Sequence, residues 1–413
     1  MTICLPETRS GAYCADRIGV AKLTKMAFDG CNLRPLWNEL MEKVTDDAEG
    51  AGIGMDLSII AQLLGDQATG LAIQKEVLGY QRLFRSPCET RTPRLRVLAL
   101  AVEMDIGGNT PIEFLLEESD IELITLYVVP GLPWPQPLPD HDVAIVVAPD
   151  DPRTQETLDE IERVTANWPC KVLNPPKRIR SQDRDRLYHL LHSVQGLEIP
   201  MTVRIARADL SGLNEATLSR WLTDGLFPLI VRPICSHAGF GLAKLETVAE
   251  IAQYLARRPE TEFFISRFVD YSGPDELFRK YRLVCVDGRP YACHMAISDE
   301  WKIWYLNADM TLSPAKRAEE AHFMATFDDG FAARHAGALS AMVERIGLDY
   351  FMIDCAETKT GELLVFESDN SAIVHNMDPP GTFPYKPPQM QKVFGAFATM
   401  LYRHAENFRA CAA

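Results

Sequence analysis

Three short, almost uninterrupted apolar runs constrain this chain most: RVLALAV (96–102), IELITLYVV (121–129) and VAIVVA (143–148). Runs of this length, rich in Val, Ile and Leu, read as strands buried on both faces. The stretches between them leave room for crossovers, so a small parallel sheet is expected. Residues 110–118 and 152–166 read as helices, and a Pro-rich loop fills 130–139. The layer is Rossmann-like, yet GGNTP (107–111) is not G-x-G-x-x-G, which argues against a dinucleotide site. Upstream, residues 12–45 and 56–85 read as helical. Leu57, Ile60, Leu64, Leu71, Val77, Leu78 and Phe84 recur at roughly helical spacing, with Gly65 and Gly70 as candidate breaks.

A chain of 413 residues has room for two to four domains at roughly 100–200 residues each. The net charge of −15 argues against a protein whose task is to coat nucleic acid or an anionic membrane. Local cations can still hold a phosphate in such a chain. Ten cysteines occur with no CxxC pair, as expected for reduced thiols in the cytoplasm. The N-terminal MTICLPETRSG lacks a basic stretch followed by an apolar run, and no segment offers about 18 uninterrupted apolar residues. Neither a signal peptide nor a membrane span is expected.

The second half reads differently. FPLIVRP (227–233) is a strand, SHAGFGLAKLE (236–246) a glycine-containing loop leading into another, and EFFISRFVD (262–270) a third. KYRLVCVDG (280–288) and RPYACHMAI (289–297) form a hairpin turning at Asp287-Gly288. Residues 319–347 read as helical, with Arg317 to His322 a solvated face. DYFMIDCAET (349–358) and ELLVFESDN (362–370) form a second strand pair, and a helix closes the chain over 388–405.

Asp354 ends one apolar run, and Glu367 and Asp369 end the next. Being two apart, Glu367 and Asp369 point to one face of a strand. Converging hard oxygens of this kind suit Mg²⁺, with phosphate oxygens completing the shell. Lys280 and Arg282 likewise alternate onto one face, and Arg232 follows PLIV; cations so placed can clamp phosphate and neutralise charge in phosphoryl transfer. The two glycines of SHAGFG let backbone N–H groups approach a phosphate closely.

The order of these parts resembles the ATP-grasp superfamily, and within it the RimK-like carboxylate–amine ligases. The likeness covers about 95–405 and is strongest in FPLIVRPICSHAGFGL, FRKYRLVCVDGRPY and LDYFMIDCAETKTGELLVFESDN. It implies a multidomain protein, α/β in its first part and α+β in its second: an N-terminal helical region (1–90), a Rossmann-like pre-ATP-grasp domain (91–185), an ATP-grasp lid (186–265) and a C-terminal subdomain with the metal site (266–413). ATP and Mg²⁺ are the implied cofactors. Arg232 falls where the family has a phosphate-binding lysine, and Ser236, His237, Gly239 and Gly241 belong to the implied phosphate loop. Arg184, favoured over Arg186, stands for the upstream phosphate-binding lysine. Ser266, Arg267, Phe268 and Val269 run along the adenine pocket, and Asp270 or Asp275 meets the ribose. Arg282, with Lys280, matches the group that stabilises the transferred phosphoryl. Asp354, Glu367 and Asp369 match the metal ligands, with Asp369 where asparagine is more usual.

The activity so implied is two-step: ATP phosphorylates a carboxylate, and an amine displaces phosphate from the acyl phosphate to leave an amide. His294, Asn307 and His375 are candidate substrate contacts, as are Trp301, Lys302, Tyr305, Tyr385 and Lys386. The expected partners are a small-molecule or peptide carboxylate and an amine. The N-terminal helices offer a place for a carrier protein, a peptide or a second copy of the chain; no nucleic acid and no membrane are expected. Two other activities fit the same residues: a kinase acting on a hydroxyl, and a nucleotide-binding regulator without turnover.

Overall fold

In the computed structural model of the chain, the described residues are 13–45, 47–48, 50–236, 239–304 and 307–412. They fall into two compact units. The first holds residues up to Pro176, Ser371–Met377 and those from Phe397 onward; the second holds Lys177–Asn370 and Asp378–Ala396.

In the first unit the three apolar runs become adjacent parallel strands, because only a sheet buried on both faces satisfies their backbones and side chains together. The sheet contains β1 (Ala15–Asp16), β2 (Leu83–Arg85), β3 (Leu95–Ala101), β4 (Ile121–Tyr127), β5 (Val143–Val146) and β6 (Val172–Leu173), in the order β1-β2-β4-β3-β5-β6. Strands β3, β4, β5 and β6 run parallel, and β2 is antiparallel to β4. Residues 83–85, expected as the end of a helix, are therefore a strand, and 15–16 add the edge; strands of two and three residues are too short to show a period.

The helices of this unit are α1 (Val20–Phe28), α2 (Arg34–Met41), α3 (Ala51–Leu63) and α4 (Gln67–Leu78) in the N-terminal part. Leu23, Leu33, Leu40, Leu57, Ile59 and Ile60 form their shared core. The α3–α4 break is at Gly65, whose φ of 89° a side chain resists. Gly70 stays helical, and a Cβ there would lie 2.6 Å from the Ser58 carbonyl oxygen, so it permits close packing rather than a break. Asp56 on α3 accepts the Ile18 and Gly19 N–H groups at 2.7 and 3.1 Å, tying the strand β1 end to the helices. The helix expected over 110–118 is only a 3₁₀ turn, Phe114–Leu116. All three of its residues are buried, leaving no polar face, and Asn109 holds the loop by bonding both the N–H and the C=O of Val102.

The second unit carries two sheets. Strands β8 (Thr202–Ala206), β9 (Leu229–Pro233), β10 (Ala243–Leu245) and β11 (Glu262–Arg267) form an antiparallel sheet in the order β10-β9-β11-β8. Its core includes Ile205, Leu229, Val231, Phe263 and Ile265. The other sheet contains β7 (Leu197–Glu198), β12 (Phe278–Val286), β13 (Arg289–Ser298), β14 (Tyr350–Glu357) and β15 (Leu363–Asp369), in the order β13-β12-β14-β15-β7. The β12–β13 hairpin turns through Asp287 and Gly288, both at positive φ (53° and 83°), the demand of a two-residue type I′ turn. The stretch 319–347, expected to be helical, falls in two helices, Pro314–Ala325 and Ala336–Ile346, joined through a π turn at Asp328–Ala332. No helix among the described residues is long and apolar enough to cross a membrane.

Candidate functional site

Residues directly opposite in an antiparallel sheet share a face. Register places His294 of β13 against Arg282 of β12, Arg282 against Asp354 of β14, and Asp354 against Glu367 of β15. One row across four strands thus holds two basic and two acidic side chains. Lys280 and Asp369, two residues along, fall on the same face. Bulges follow Arg282 in the β12–β13 ladder and Asp354 in the β14–β15 ladder. Such irregularities re-aim side chains, and here both sit at the row.

Asp354 is 1% exposed and both its oxygens are engaged. Its Oδ1 accepts from Arg282 Nε at 2.8 Å; its Oδ2 accepts from Lys280 Nζ at 2.9 Å and from a terminal Arg282 nitrogen at 3.1 Å. Burial alone would raise its pKa, but Arg282 and Lys280 outweigh that and hold it far below the carboxylate range. Arg282 is the mirror case: burial works against its charge, and Asp354 more than restores it. Glu367 is paired with Arg184 from the helix Arg184–Leu191, and Arg232 of β9 stands 3.9 Å from it. Burial pushes Glu367 up; Arg184, Arg232 and Lys280 pull it below its ordinary value against the opposing charge of Asp354. His294 is driven well below the usual histidine range by burial and by Arg282 and Lys386, so it is neutral at pH 7.

Arg232 meets the glycine loop. Its Nε donates to Ser236 Oγ at 3.1 Å, and a terminal nitrogen donates to the Ser236 carbonyl. Burial, reinforced by Arg184, pushes this guanidinium down to about 9, a cation short of negative charge. Gly239 and Gly241 have φ of 72° and 66°, and a Cβ on Gly241 would stand 2.6 Å from Pro233. Both glycines are thus required by backbone shape. Lys302 Nζ donates to the Leu242 carbonyl at 3.2 Å beside this loop.

The structure therefore brings together Arg184, Arg232, Ser236, Lys280, Arg282, His294, Asp354 and Glu367. Other expected residues have local partners. Ser266 is buried at the end of β11; Arg267 pairs with Glu198 and Asp224; Lys244 lies over the Phe268 ring; Val269 follows half-buried. Asp275 pairs with Arg279, which holds it down to about 2, and Asn307 Oδ1 accepts the Trp304 N–H. His375 belongs to the first unit, with Phe28 and Phe114 around its ring, while the row lies wholly in the second. His237 and Tyr305 lie outside the described residues.

One group was not anticipated. Glu320, on the stretch expected to be a solvated face, is fully buried: it accepts the Met295 N–H at 3.0 Å and the Tyr385 hydroxyl at 2.6 Å. Lys386, 2% exposed, stands 3.4 Å from Glu320 and donates to Asp378 at 2.8 Å. Glu320 is in helical phase with the buried Met324 and Phe327, the one sequence signal that it faces inward.

No family model matches the chain, and no curated protein matches it. Among solved structures it is similar to D-alanine–D-alanine ligase from Bacillus anthracis, at 14% identity over 77% of this chain and 100% of that one, with a TM-score of 0.46. A RimK-domain ATP-grasp protein from Sphaerobacter thermophilus is 17% identical over 74% and 99% of the two chains, with a TM-score of 0.42. The VanG D-Ala:D-Ser ligase from Enterococcus faecalis is 13% identical over 75% and 100%, with a TM-score of 0.45.

Proposed function

We propose that this chain is an ATP-dependent ligase that activates a carboxylate as an acyl phosphate and joins it to an amine, releasing ADP and phosphate. The observation that carries the reading is the row: Arg282 and Lys280 fixed on Asp354, with Arg184 and Arg232 converging on Glu367. Four cations around two carboxylates leave positive charge to receive a polyphosphate, and preorganised charge lowers the barrier to phosphoryl transfer.

In this reading Arg184, Arg232 and the loop from Ser236 to Gly241 bind the ATP phosphates. Ser266, Arg267, Phe268 and Val269 border the adenine, and Asp275 borders the ribose. Arg282 and Lys280 stabilise the charge that develops as the γ-phosphoryl passes to the substrate carboxylate. His294, neutral, is suited to accept or donate a hydrogen bond to the acid or the amine. The lid is the sheet β8–β11, whose glycine loop closes over the phosphates and excludes water from the acyl phosphate.

Asp354 and Glu367 are opposed, ionised oxygen donors, with Asp369 on the same face, and this donor chemistry fits Mg²⁺. Among the described residues no three His, Cys, Asp or Glu side chains are grouped closely enough to hold an ion. Mg²⁺ would thus share these carboxylates with nucleotide oxygens, supplying charge neutralisation there.

The test is product analysis with panels of acids and amines. ADP and free phosphate should form only when acid and amine are both present, or slowly with acid alone, and mass spectrometry should find the amide. Phosphorylated product without free phosphate would instead identify a kinase. Glu367→Gln should abolish turnover in a folded protein; full activity in that variant would remove the assignment.

A further inference from the structure

The first unit contains a pocket that the proposed chemistry does not use. It has a volume of about 70 Å³ and lies between α3, α4 and the loop that follows β3. The parallel strands take the order β4-β3-β5-β6, so the chain goes to one side of β3 and then to the other. Doubly wound sheets bind ligands at such a reversal, beyond the carboxyl ends of the strands. Here Thr110, Tyr127 and Val147 line that end, and the N-terminal helices roof it through Met55, Ile59 and Gln74.

Two buried polar atoms of the lining have no hydrogen-bond partner among the described residues. Gln74 is 5% exposed, and its Oε1 accepts no hydrogen bond. Arg17 gives a terminal nitrogen to Glu113 at 2.6 Å, to Ser86 and to Thr125, but its buried Nε–H has no acceptor. Leaving such groups unmet is costly, and native interiors normally satisfy them. Most of the remaining wall is apolar, as small-molecule pockets are.

The geometry points to a site for a small neutral molecule that carries both an acceptor and a donor: a primary carboxamide on a short apolar stem. Its carbonyl would take the Arg17 Nε–H and its NH₂ would reach Gln74 Oε1. A carboxylate is disfavoured because Glu113 already neutralises Arg17 and Asp105 adds a second negative charge to the lining. An ammonium would lie against the Arg17 guanidinium. The size follows from the volume: at roughly 10–15 Å³ per water the pocket takes about five waters, or a solute of about five non-hydrogen atoms.

The experiment is a saturation-transfer NMR titration of the full chain with propionamide, with propionate and n-butylamine as arms of similar size. Propionamide should saturate in the millimolar range while the charged arms show no saturable response. Gln74→Met, which keeps the side-chain length and removes the acceptor, and Val20→Phe, which fills the pocket from its wall, should each weaken binding at least tenfold. Circular dichroism verifies folding, and if one variant does not fold, the other carries the comparison. Absence of saturable propionamide binding, or wild-type binding in a folded variant, overturns the site. Equal or tighter binding of either charged arm overturns the ligand class.

Discussion

Asp354 is held by more positive charge than a buried carboxylate needs for neutrality, and that imbalance is the residue-scale argument for function. A structural ion pair would require one cation; here a forked guanidinium and an ammonium occupy both oxygens. Arg282→Ala should lower kcat about 10²–10³-fold, the range for losing one preorganised donor. It should also destabilise the fold by about 3 kcal/mol, since one partner of a buried pair is removed. Arg282→Lys restores the charge but not the fork, so it should recover stability more fully than turnover; steady-state kinetics beside thermal melts separate the two. Arg232 is buried, depressed and near Arg184, so an anion should relieve it. Arg232→Met should weaken nucleotide binding roughly 10–100-fold, as for a lost charged hydrogen bond, measurable by calorimetry. Lys280, Arg282 and the acids are legible in the sequence because alternation along a strand fixes their face. Their pairing across strands is not, since register depends on bulges that one sequence does not display. Glu320 is harder still: its partner Lys386 is fixed only by the tertiary fold.

At the scale of elements, long apolar runs identify β3, β4 and β5 directly, and Asp287-Gly288 identifies its hairpin. The short strands β1 and β2 and the 3₁₀ turn at Phe114–Leu116 escape periodicity because tertiary burial rather than local pattern decides them. Gly70 shows the same competition in a form that can be measured. Helix propensity alone favours Ala over Gly by about 1 kcal/mol in a helix interior. Yet a Cβ at Gly70 would stand 2.5 Å from Gln62 Cγ and 2.6 Å from the Ser58 carbonyl oxygen, which belong to α3. Ser58 Oγ also donates to the Gly70 carbonyl at 2.7 Å. Overpacking of this kind costs about 1–3 kcal/mol. Gly70→Ala should therefore lower the melting temperature; a rise would mean that α3 and α4 are not packed this closely.

For the whole molecule, the depressed carboxylates set how stability responds to acid. Asp354 and Glu367 have folded pKa values below their ordinary ones, because their cations overcome burial. Unfolded, both titrate near pH 4. Between the two values the unfolded chain binds more protons, so acid favours unfolding. The stabilisation is complete above the unfolded value and is lost as pH falls through the folded ones. From pH 7 to 5 these two carboxylates therefore contribute a constant amount, whereas His294, neutral in the fold and protonated when unfolded, costs the row stability as pH falls. Melting temperature should fall below about pH 4, where the contribution of the two carboxylates is lost. Asp354→Asn supplies the control. At neutral pH it should melt well below the wild type, because Lys280 and Arg282 lose the charge that compensates them. Its deficit should shrink steadily below about pH 4, where the unfolded wild type binds a proton at Asp354 that the folded protein does not. A deficit that stayed constant down to the acid transition would mean that Asp354 is not the anion on which this part of the fold depends.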